Sequence, residues 1–353
     1  MRTCCHRLNK ILILSLSFCL INCTTHSQQM PSLKIITQEF IYDTASFPSC
    51  HASTIAETPQ GLIAAWFGGT HERHEDVEVW TSRRVGSGWS APIPVANGIQ
   101  DAAKRYPCWN PVLFQYPGGP LMLFYKVGPS PVEWWGELKK SYDHGKTWSK
   151  AQRLPDGILG PVKNKPVLLD DGRLICPSST ENRDGRWQVH LEMTKDTGKT
   201  WTSSGSLNDG QQYHIIQPSL LLYAGKQQLL CRSQENRIVS LWSKDEARTW
   251  STPDTTSLFN PNSGIDAVTL DNGWQVLVYN PTQKAKNNWG GTRTPLHVAI
   301  SKDGIRWKDV IMLENTPGEY SYPAVIGGKD GTIHITYTWN RKKIKWVSLK
   351  FGP

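Results

Sequence analysis

The chain has 353 residues, of which 38% are hydrophobic, and it contains 16 Trp, 29 Gly and 23 Pro. This length and composition predict one large all-β domain with many turns, and no segment indicates a second core. The formal net charge of +9 fits an anionic ligand but is also common in proteins with neutral ligands. Because the chain has no Lys/Arg block and no RNA-binding aromatic motif, we expect no nucleic-acid partner.

The N-terminus has the pattern of an export signal. Basic residues precede an apolar run over residues 11–21, which is too short to span a bilayer. The sequence before Cys23 resembles the lipobox of bacterial lipoproteins, although Asn22 departs from it, and ordinary signal-peptidase cleavage nearby is the alternative. We expect a leader at residues 1–23 and a polar tether at residues 24–32. The protein would then be exported to the periplasm or outer membrane of a bacterium, with a lipid anchor as its only membrane contact.

A short motif recurs through the rest of the chain. Its clearest copy runs from Ser141 to Trp148, and the steps between the closing tryptophans of successive copies are 59, 53, 49 and 57 residues. A period of this length built from short strands predicts a β-propeller with one blade per repeat. The copies, of which the first is worn, end at Trp89, Trp148, Trp201, Trp250 and Trp307.

The motif has the composition of a tight turn. An Asp carboxylate can accept backbone N–H bonds within the turn, Gly supplies a positive φ, and Trp packs back onto the blade. The pattern resembles the Asp-box (BNR) repeats of the sialidase superfamily, and this resemblance implies that the boxes lie on outer hairpins away from the active site. We therefore interpret Asp143, Asp196, Asp245 and Asp303 as turn formers and not as catalytic acids.

Six segments share a plan of an inner strand, a Gly turn, a second strand and a third strand, which predicts a six-bladed propeller over residues 33–353. The last segment has no box, so we expect the strand at 33–42 to complete its sheet and close the ring, because closure removes open edges. The starts of inner strands converge at one mouth of the central channel. Polar residues would line any solvated channel, but a polar residue at all six starts favours a ligand site. These residues are His51, Asn110, Lys165, Gln217, Asp266 and Tyr322.

The resemblance to sialidases covers about residues 45–349 and implies anchors for an acidic sugar. Sialidases hold the substrate carboxylate with three arginines, and Arg232 and Arg293 match the second and the third. Guanidinium groups suit this task because they bind carboxylates with two parallel hydrogen bonds. An inter-strand ion pair is the alternative for each. Together with Asn110, Lys165, Gln217 and Asp266, they form the predicted substrate-binding set.

The same resemblance implies the catalytic groups. The tyrosine nucleophile of sialidases lies at the start of the last blade, where we favour Tyr322 over Tyr320. Their acid/base aspartate lies in a first-blade loop and matches Asp76. Glycosidases need an acid close to the leaving oxygen, and sialidases are the recorded case of a tyrosine nucleophile.

Two positions depart from the sialidase pattern. The first arginine is replaced by His51, and the glutamate that assists the tyrosine is replaced by Gln217, which cannot accept a proton. Glu181 or Glu192 in the third blade could supply a carboxylate instead, although neither lies at the matching place. His51 is expected to act in proton transfer, since a histidine at the channel mouth has a pKa suited to acid–base catalysis.

Three functions remain open. The first is an exo-acting glycoside hydrolase that removes a terminal acidic or acid-linked sugar from a glycan, with His51, Asp76 and Tyr322 as catalytic residues. The second is a lyase acting on uronate-containing glycans of the rhamnose–glucuronate type, and the third is a glycan-binding lipoprotein without catalysis. We expect a monomer without a cofactor. We also expect no metal, because residues 71–76 lack the HExxH spacing.

The mature cysteines lack CxxC spacing and are scattered through the chain. Two disulfides and buried free thiols are equally compatible with their apolar surroundings. They are Cys50, Cys108, Cys176 and Cys231.

Overall fold

The computed structural model of the protein describes residue 1 and residues 32–352. The predicted leader, Cys23 and nearly all of the tether lie outside the described residues. The rest of the chain belongs to one compact unit, Ser32–Pro353. Every regular element in the described part is a β-strand. Accordingly, no helix that could cross a membrane is found among the described residues.

Twenty-five strands form six antiparallel sheets, one per blade, so the predicted six-bladed propeller is confirmed. The strands of the first three blades are, in chain order, β2 (Ser49–Thr58), β3 (Gly61–Gly69), β4 (Glu78–Val85), β5 (Gly88–Trp89) and β6 (Ile93–Ala96); β7 (Cys108–Gln115), β8 (Leu121–Val127), β9 (Trp135–Ser141) and β10 (Gln152–Arg153); β11 (Val167–Leu168), β12 (Leu174–Glu181), β13 (Trp187–Thr194) and β14 (Thr202–Ser203). Those of the last three blades are β15 (Ile215–Tyr223), β16 (Lys226–Ser233), β17 (Arg237–Ser243) and β18 (Asp254–Phe259); β19 (Asp266–Thr269), β20 (Gln275–Tyr279), β21 (Leu296–Ser301) and β22 (Lys308–Glu314); β23 (Tyr320–Gly327), β24 (Ile333–Trp339), β25 (Lys343–Phe351) and the N-terminal β1 (Leu33–Phe40).

The first strand of the described domain closes the ring, as the sequence predicts. β1 runs antiparallel to β25, with Leu33 opposite Phe351 and Phe40 opposite Lys345. The outermost strand of the sixth blade therefore comes from the other end of the chain. No hairpin joins it to β25, which explains why this blade has no Asp box.

The box aspartates form the turns that the sequence indicates. In the second blade, Asp143 accepts hydrogen bonds from the N–H groups of Lys146 and Thr147 at 3.1 and 2.8 Å. Hydrogen bonds from the Thr147 hydroxyl and N–H hold the pKa of Asp143 well below its usual range. Equivalent bonds to Asp196, Asp245 and Asp303 repeat the turn, which confirms that these residues have a structural role.

Neighbouring blades pack through the apolar faces of their sheets. Between the fifth and sixth blades, for example, Val276 and Val298 share one core cluster with Val325 and Ile335. Burial of each such side chain contributes roughly 1.5–3 kcal/mol. The four cysteines of the described domain belong to this interior as buried free thiols, so of the two alternatives the disulfides are excluded.

Four inner strands carry the same backbone irregularity near the channel mouth. Each ladder shifts register at this point, and one residue in each strand takes a positive φ of 38–54°. A bulge of this kind re-aims a side chain without ending the strand, and positive φ values are uncommon outside glycine. The residues with positive φ are Ala52, Asn110, Gln217 and Tyr322.

Candidate active site

Tyr322 lies at the centre of a polar cluster drawn from several blades. Its Oη accepts hydrogen bonds from Arg232 Nη1 at 2.7 Å and from Gln217 Nε2 at 3.3 Å. Two donors on this oxygen would stabilise negative charge that develops there during a reaction. Tyr320, by contrast, is 1% exposed and lies in the core with its hydroxyl bound to Thr316, so only Tyr322 is available to a ligand.

The His51 ring packs against the Tyr322 ring at a tilt of 48°, with 4.1 Å between the ring centroids. Its Nδ1 is 3.1 Å from the Thr338 hydroxyl, and only 2% of the residue is exposed. Burial and the positive charges of the surrounding Arg and Lys residues, above all Arg341, hold the pKa of His51 well below its ordinary value. This environment departs from the one expected for a histidine at a solvated channel mouth, and it favours the neutral imidazole.

Three guanidinium groups surround this pair, and sequence reasoning found only two of them. Arg293 lies 5.8 Å from the centre of the Tyr322 ring and forms a 2.8 Å ion pair with Glu319. Arg341, which we had not predicted, binds Glu319 at 2.7 Å and Glu72 at 2.5 Å. It occupies the β24–β25 turn, where Asn340 is the only sequence signal.

Arg232 differs from the other two because it has no ion-pair partner among the described residues. Its Nε donates to Asn262 Oδ1 at 2.8 Å, and its guanidinium lies 5.4 Å from the centre of the Trp187 ring. Trp187 in turn packs edge-on against Trp289, at 5.2 Å, and Trp289 is 62% exposed. The cluster thus has one buried guanidinium that is free to bind an anion, next to an aromatic rim.

Lys163 lies directly behind the cluster. Its Nζ donates to Ile265 O at 2.7 Å and to Pro323 O, and it lies 5.8 Å from the centre of the Tyr322 ring. Burial lowers the pKa of Lys163 to about 7, although the nearby Asp266 carboxylate opposes this. The amine therefore links the backbones of the fifth and sixth blades next to Tyr322.

Lys165 and Asp266 are not brought to Tyr322. They form a 2.9 Å ion pair, and Asp266 also accepts hydrogen bonds from Val325 N and Ser219 Oγ. Lys165 faces a cavity of about 680 Å³ at the opposite mouth of the channel. The ion pair between these two residues therefore links the third blade to the fifth across the channel. Asn110 occupies the equivalent bulge of the second blade and is 5% exposed.

Asp76 lies in the β3–β4 loop, on the same face of the propeller as Tyr322. Its carboxylate accepts hydrogen bonds from Thr70 N at 3.0 Å and Thr70 Oγ1 at 2.6 Å, and it contacts His74 Nδ1 at 2.8 Å. Burial tends to raise the pKa of Asp76, but the hydrogen bonds from Thr70 and the contact with His74 outweigh burial and hold this pKa below its usual range. Asp76 thus stabilises its own loop and is ionised at neutral pH. Within the described chain, no cluster of three or more His, Cys, Asp or Glu residues has the arrangement of a metal site.

The model of one protein family, the BNR repeat-like domain, matches residues 60–335. The chain belongs to this family. No curated protein matches the chain. The family and the fold together make it a sialidase-like BNR-repeat protein.

Solved structures share the fold at low sequence identity. A protein of unknown function from Dyadobacter fermentans superposes with a TM-score of 0.74 at 14% identity, covering 92% of this chain and 100% of that chain. The NanB sialidase of Streptococcus pneumoniae gives a TM-score of 0.67 at 13% identity, covering 88% of this chain and 70% of that one. The Trypanosoma rangeli sialidase gives 0.67 at 17% identity, covering 86% of this chain and 55% of that one. At these identities the likeness establishes the propeller and leaves the chemistry to the residues of the site.

Proposed function

We propose that the protein is an exo-acting glycoside hydrolase that removes a terminal acidic or acid-linked sugar from a glycan. The observation that carries the proposal is the position of Arg232, a buried guanidinium without a carboxylate partner in the described chain that donates to Tyr322 Oη. An acidic sugar held there would lie directly over the tyrosine. The proposed setting is the envelope of a bacterium, with a monomer attached by a lipid anchor and no cofactor.

The cluster suggests a sequence of bond changes. The sugar carboxylate pairs with Arg232, while Arg293 and Arg341 contribute positive charge at the edge of the site. Tyr322 Oη attacks the anomeric carbon, the glycosidic bond breaks, and an acid gives its proton to the departing oxygen. We assign the phenolic proton to the neutral imidazole of His51, whose ring packs against that of Tyr322 at a tilt of 48°. Water then adds to the anomeric carbon and the tyrosine–sugar bond breaks, and the Tyr322 oxygen takes its proton back from His51.

The test is product release from sialylated, rhamnose–glucuronate and other uronate glycans, comparing the wild type with His51→Ala. We expect a free acidic sugar without new ultraviolet absorbance, and a loss of release in the variant while its melting temperature is retained. His144→Asn is the matched control, because His144 lies in an Asp-box turn on the opposite face and tolerates Asn at its φ of 62°.

Other outcomes would overturn the proposal. An unsaturated product that absorbs in the ultraviolet would identify a lyase. Binding of a glycan without any product would identify a glycan-binding protein. Release that survives His51→Ala would remove His51 from the mechanism and leave Tyr322 to act without it.

A further inference from the structure

We propose that Glu181, at the end of β12 in the third blade, is the general acid of this site and gives its proton to the departing oxygen. The proposal rests on the glycosidase function above and assigns a step for which Asp76 is the expected residue.

The strand geometry directs Glu181 towards the cluster. β12 pairs with β13 without a register shift from Leu174 to Glu181, so alternate side chains share one face. Ser179, two residues before Glu181, accepts a hydrogen bond at its Oγ from Gln217 N at 3.1 Å. That face of β12 is therefore the one that packs on the inner strand of the fourth blade. Glu181 lies about 7 Å further along it, at the mouth that holds Tyr322.

The surroundings of Glu181 link it to the anion site. Its cross-strand partner is Trp187, and the Trp187 ring lies 5.4 Å from the guanidinium carbon of Arg232. Burial raises the pKa of Glu181, and the negative charge of Glu72 raises it further. The positive charges of Arg232 and Arg73 act in the opposite direction and lower this pKa. The carboxyl is thus partly buried, within the electrostatic reach of both arginines, and has no hydrogen bond or ion pair from any described residue.

The other carboxylates near the channel are already engaged. Glu319 and Glu72 bind arginines, and Glu192 accepts hydrogen bonds from Leu159 N and Gly160 N. Asp76 is held by Thr70. Hydrogen bonds therefore favour the ionised form of Asp76, whereas burial favours the protonated form of Glu181, which is the form that a general acid needs.

The step balances with groups that are present. Tyr322 Oη bonds to the anomeric carbon, the glycosidic C–O bond breaks, and the proton of Glu181 completes the hydroxyl of the leaving sugar. In the second half, the Glu181 carboxylate accepts a proton from water as the water oxygen bonds to the anomeric carbon, and the departing Tyr322 oxygen takes back the proton held by His51. Glu181 returns to its protonated form without an external donor.

The experiment compares two substrates that carry the acidic sugar released in the panel. One is its 4-methylumbelliferyl glycoside, whose leaving group departs without protonation, and the other is its disaccharide, whose leaving group needs a proton. We expect Glu181→Gln to lower kcat on the disaccharide by roughly 10²–10⁴-fold and kcat on the aryl glycoside by less than about tenfold. KM should change little, because the change leaves the shape of the side chain intact.

Asp76→Asn is the discriminating variant. We expect Asp76→Asn to lower kcat on both substrates by a similar, small factor. A selective loss on the disaccharide in Asp76→Asn, or an equal loss on both substrates in Glu181→Gln, would overturn the assignment while leaving the glycosidase function in place. A wild type that cleaves neither substrate would overturn the function itself. The melting temperature of each variant separates these results from a failure to fold.

Discussion

Arg232 stands out at the scale of single residues because the site gives it no opposing charge. Arg293 and Arg341 share Glu319, so an incoming carboxylate would have to compete with an existing ion pair. Arg232 binds only neutral groups: the oxygens of Asn262, Gln217 and Tyr322. A buried guanidinium in this state gains most from a ligand carboxylate, because it is already removed from water in the folded chain and lacks an opposite charge.

We therefore expect Arg232→Gln to weaken binding of an acidic monosaccharide by roughly 100-fold, in line with a loss of about 3 kcal/mol for a buried charged contact. Arg232→Lys should recover only part of this, because an ammonium group cannot reproduce the two parallel bonds. Calorimetric titration at constant salt measures the effect. Arg173→Gln, which removes a surface ion pair at the opposite face, is the control. Equal binding by all three variants would exclude Arg232 as the anchor.

The residues of the site show what a sequence can and cannot reveal. Tyr322 and Arg232 could be named because they match a family pattern in strands with clear periodicity. Arg341 could not, because it lies in a three-residue turn without a motif and reaches the site only when the last blade folds beside the first. Lys165 and Asp266 are predicted at the ligand mouth, but sequence could not show that Lys165 would face the opposite mouth or that the two charges would pair across the channel.

At the scale of elements, the Asp-box turn is the repeated unit that stabilises each outer hairpin. Asp196 accepts four hydrogen bonds of 2.6–2.9 Å, from Thr194 Oγ1, Lys199 N, Thr200 N and Thr200 Oγ1. These bonds satisfy backbone donors that would otherwise have only water as a partner. The sequence predicted this unit correctly because all its determinants lie within eight consecutive residues.

We expect Asp196→Ala to lower the free energy of unfolding by about 1–2 kcal/mol, the usual loss when hydrogen bonds to a charged acceptor are removed. Urea denaturation at pH 7 measures it. Asp156→Ala is the control, because Asp156 lies in an exposed turn and makes no side-chain hydrogen bond in the described chain, so its effect should stay within about 0.5 kcal/mol. If both variants lost the same stability, the box would not be the stabilising unit.

The bulges of the inner strands are harder to predict from the sequence than the Asp-box turns are. The residue before Pro111, Pro218 or Pro323 could be recognised as a strand start, but proline usually pushes that residue towards extended geometry. The structure instead gives Asn110, Gln217 and Tyr322 a positive φ. Packing between blades outweighs the local preference at these points, and its consequence is a ring of side chains aimed at one mouth.

At the scale of the whole molecule, the repeat period and the unpaired N-terminal strand were enough to predict six blades and their closure. The functional site was harder because its members come from positions as far apart as His51 and Arg341. Folding of the propeller also buries lysine side chains, and no local sequence pattern predicts the free-energy cost of removing these charged groups from water. Lys126 and Lys163 are almost completely buried and donate to backbone carbonyls.

This burial should make stability depend on pH in an unusual direction. Burial lowers the pKa of Lys126 to about 7, and the nearby Glu192 charge only partly opposes it. An unfolded lysine keeps its proton up to about pH 10. Between these values the unfolded chain binds more protons than the folded one, so stability rises with pH, by at most about 1.4 kcal/mol per pH unit for each such lysine. Above about pH 8.5 the buried thiols act in the opposite sense, because the unfolded cysteines lose their protons first.

Between pH 7 and 8 the lysines contribute most of the change, and the histidines whose pKa burial lowers add a smaller increase of the same sign. We expect the free energy of unfolding of the wild type, measured in urea, to increase over this range, and the increase to be about halved in Lys126→Met, since Lys163 remains. Lys150→Met, at an exposed position, should keep the slope of the wild type. A slope that is flat in the wild type, or unchanged in Lys126→Met, would mean that Lys126 keeps its proton in the folded state. The Glu192 carboxylate would then balance the buried charge, and the contact between the second and third blades would be an ion pair.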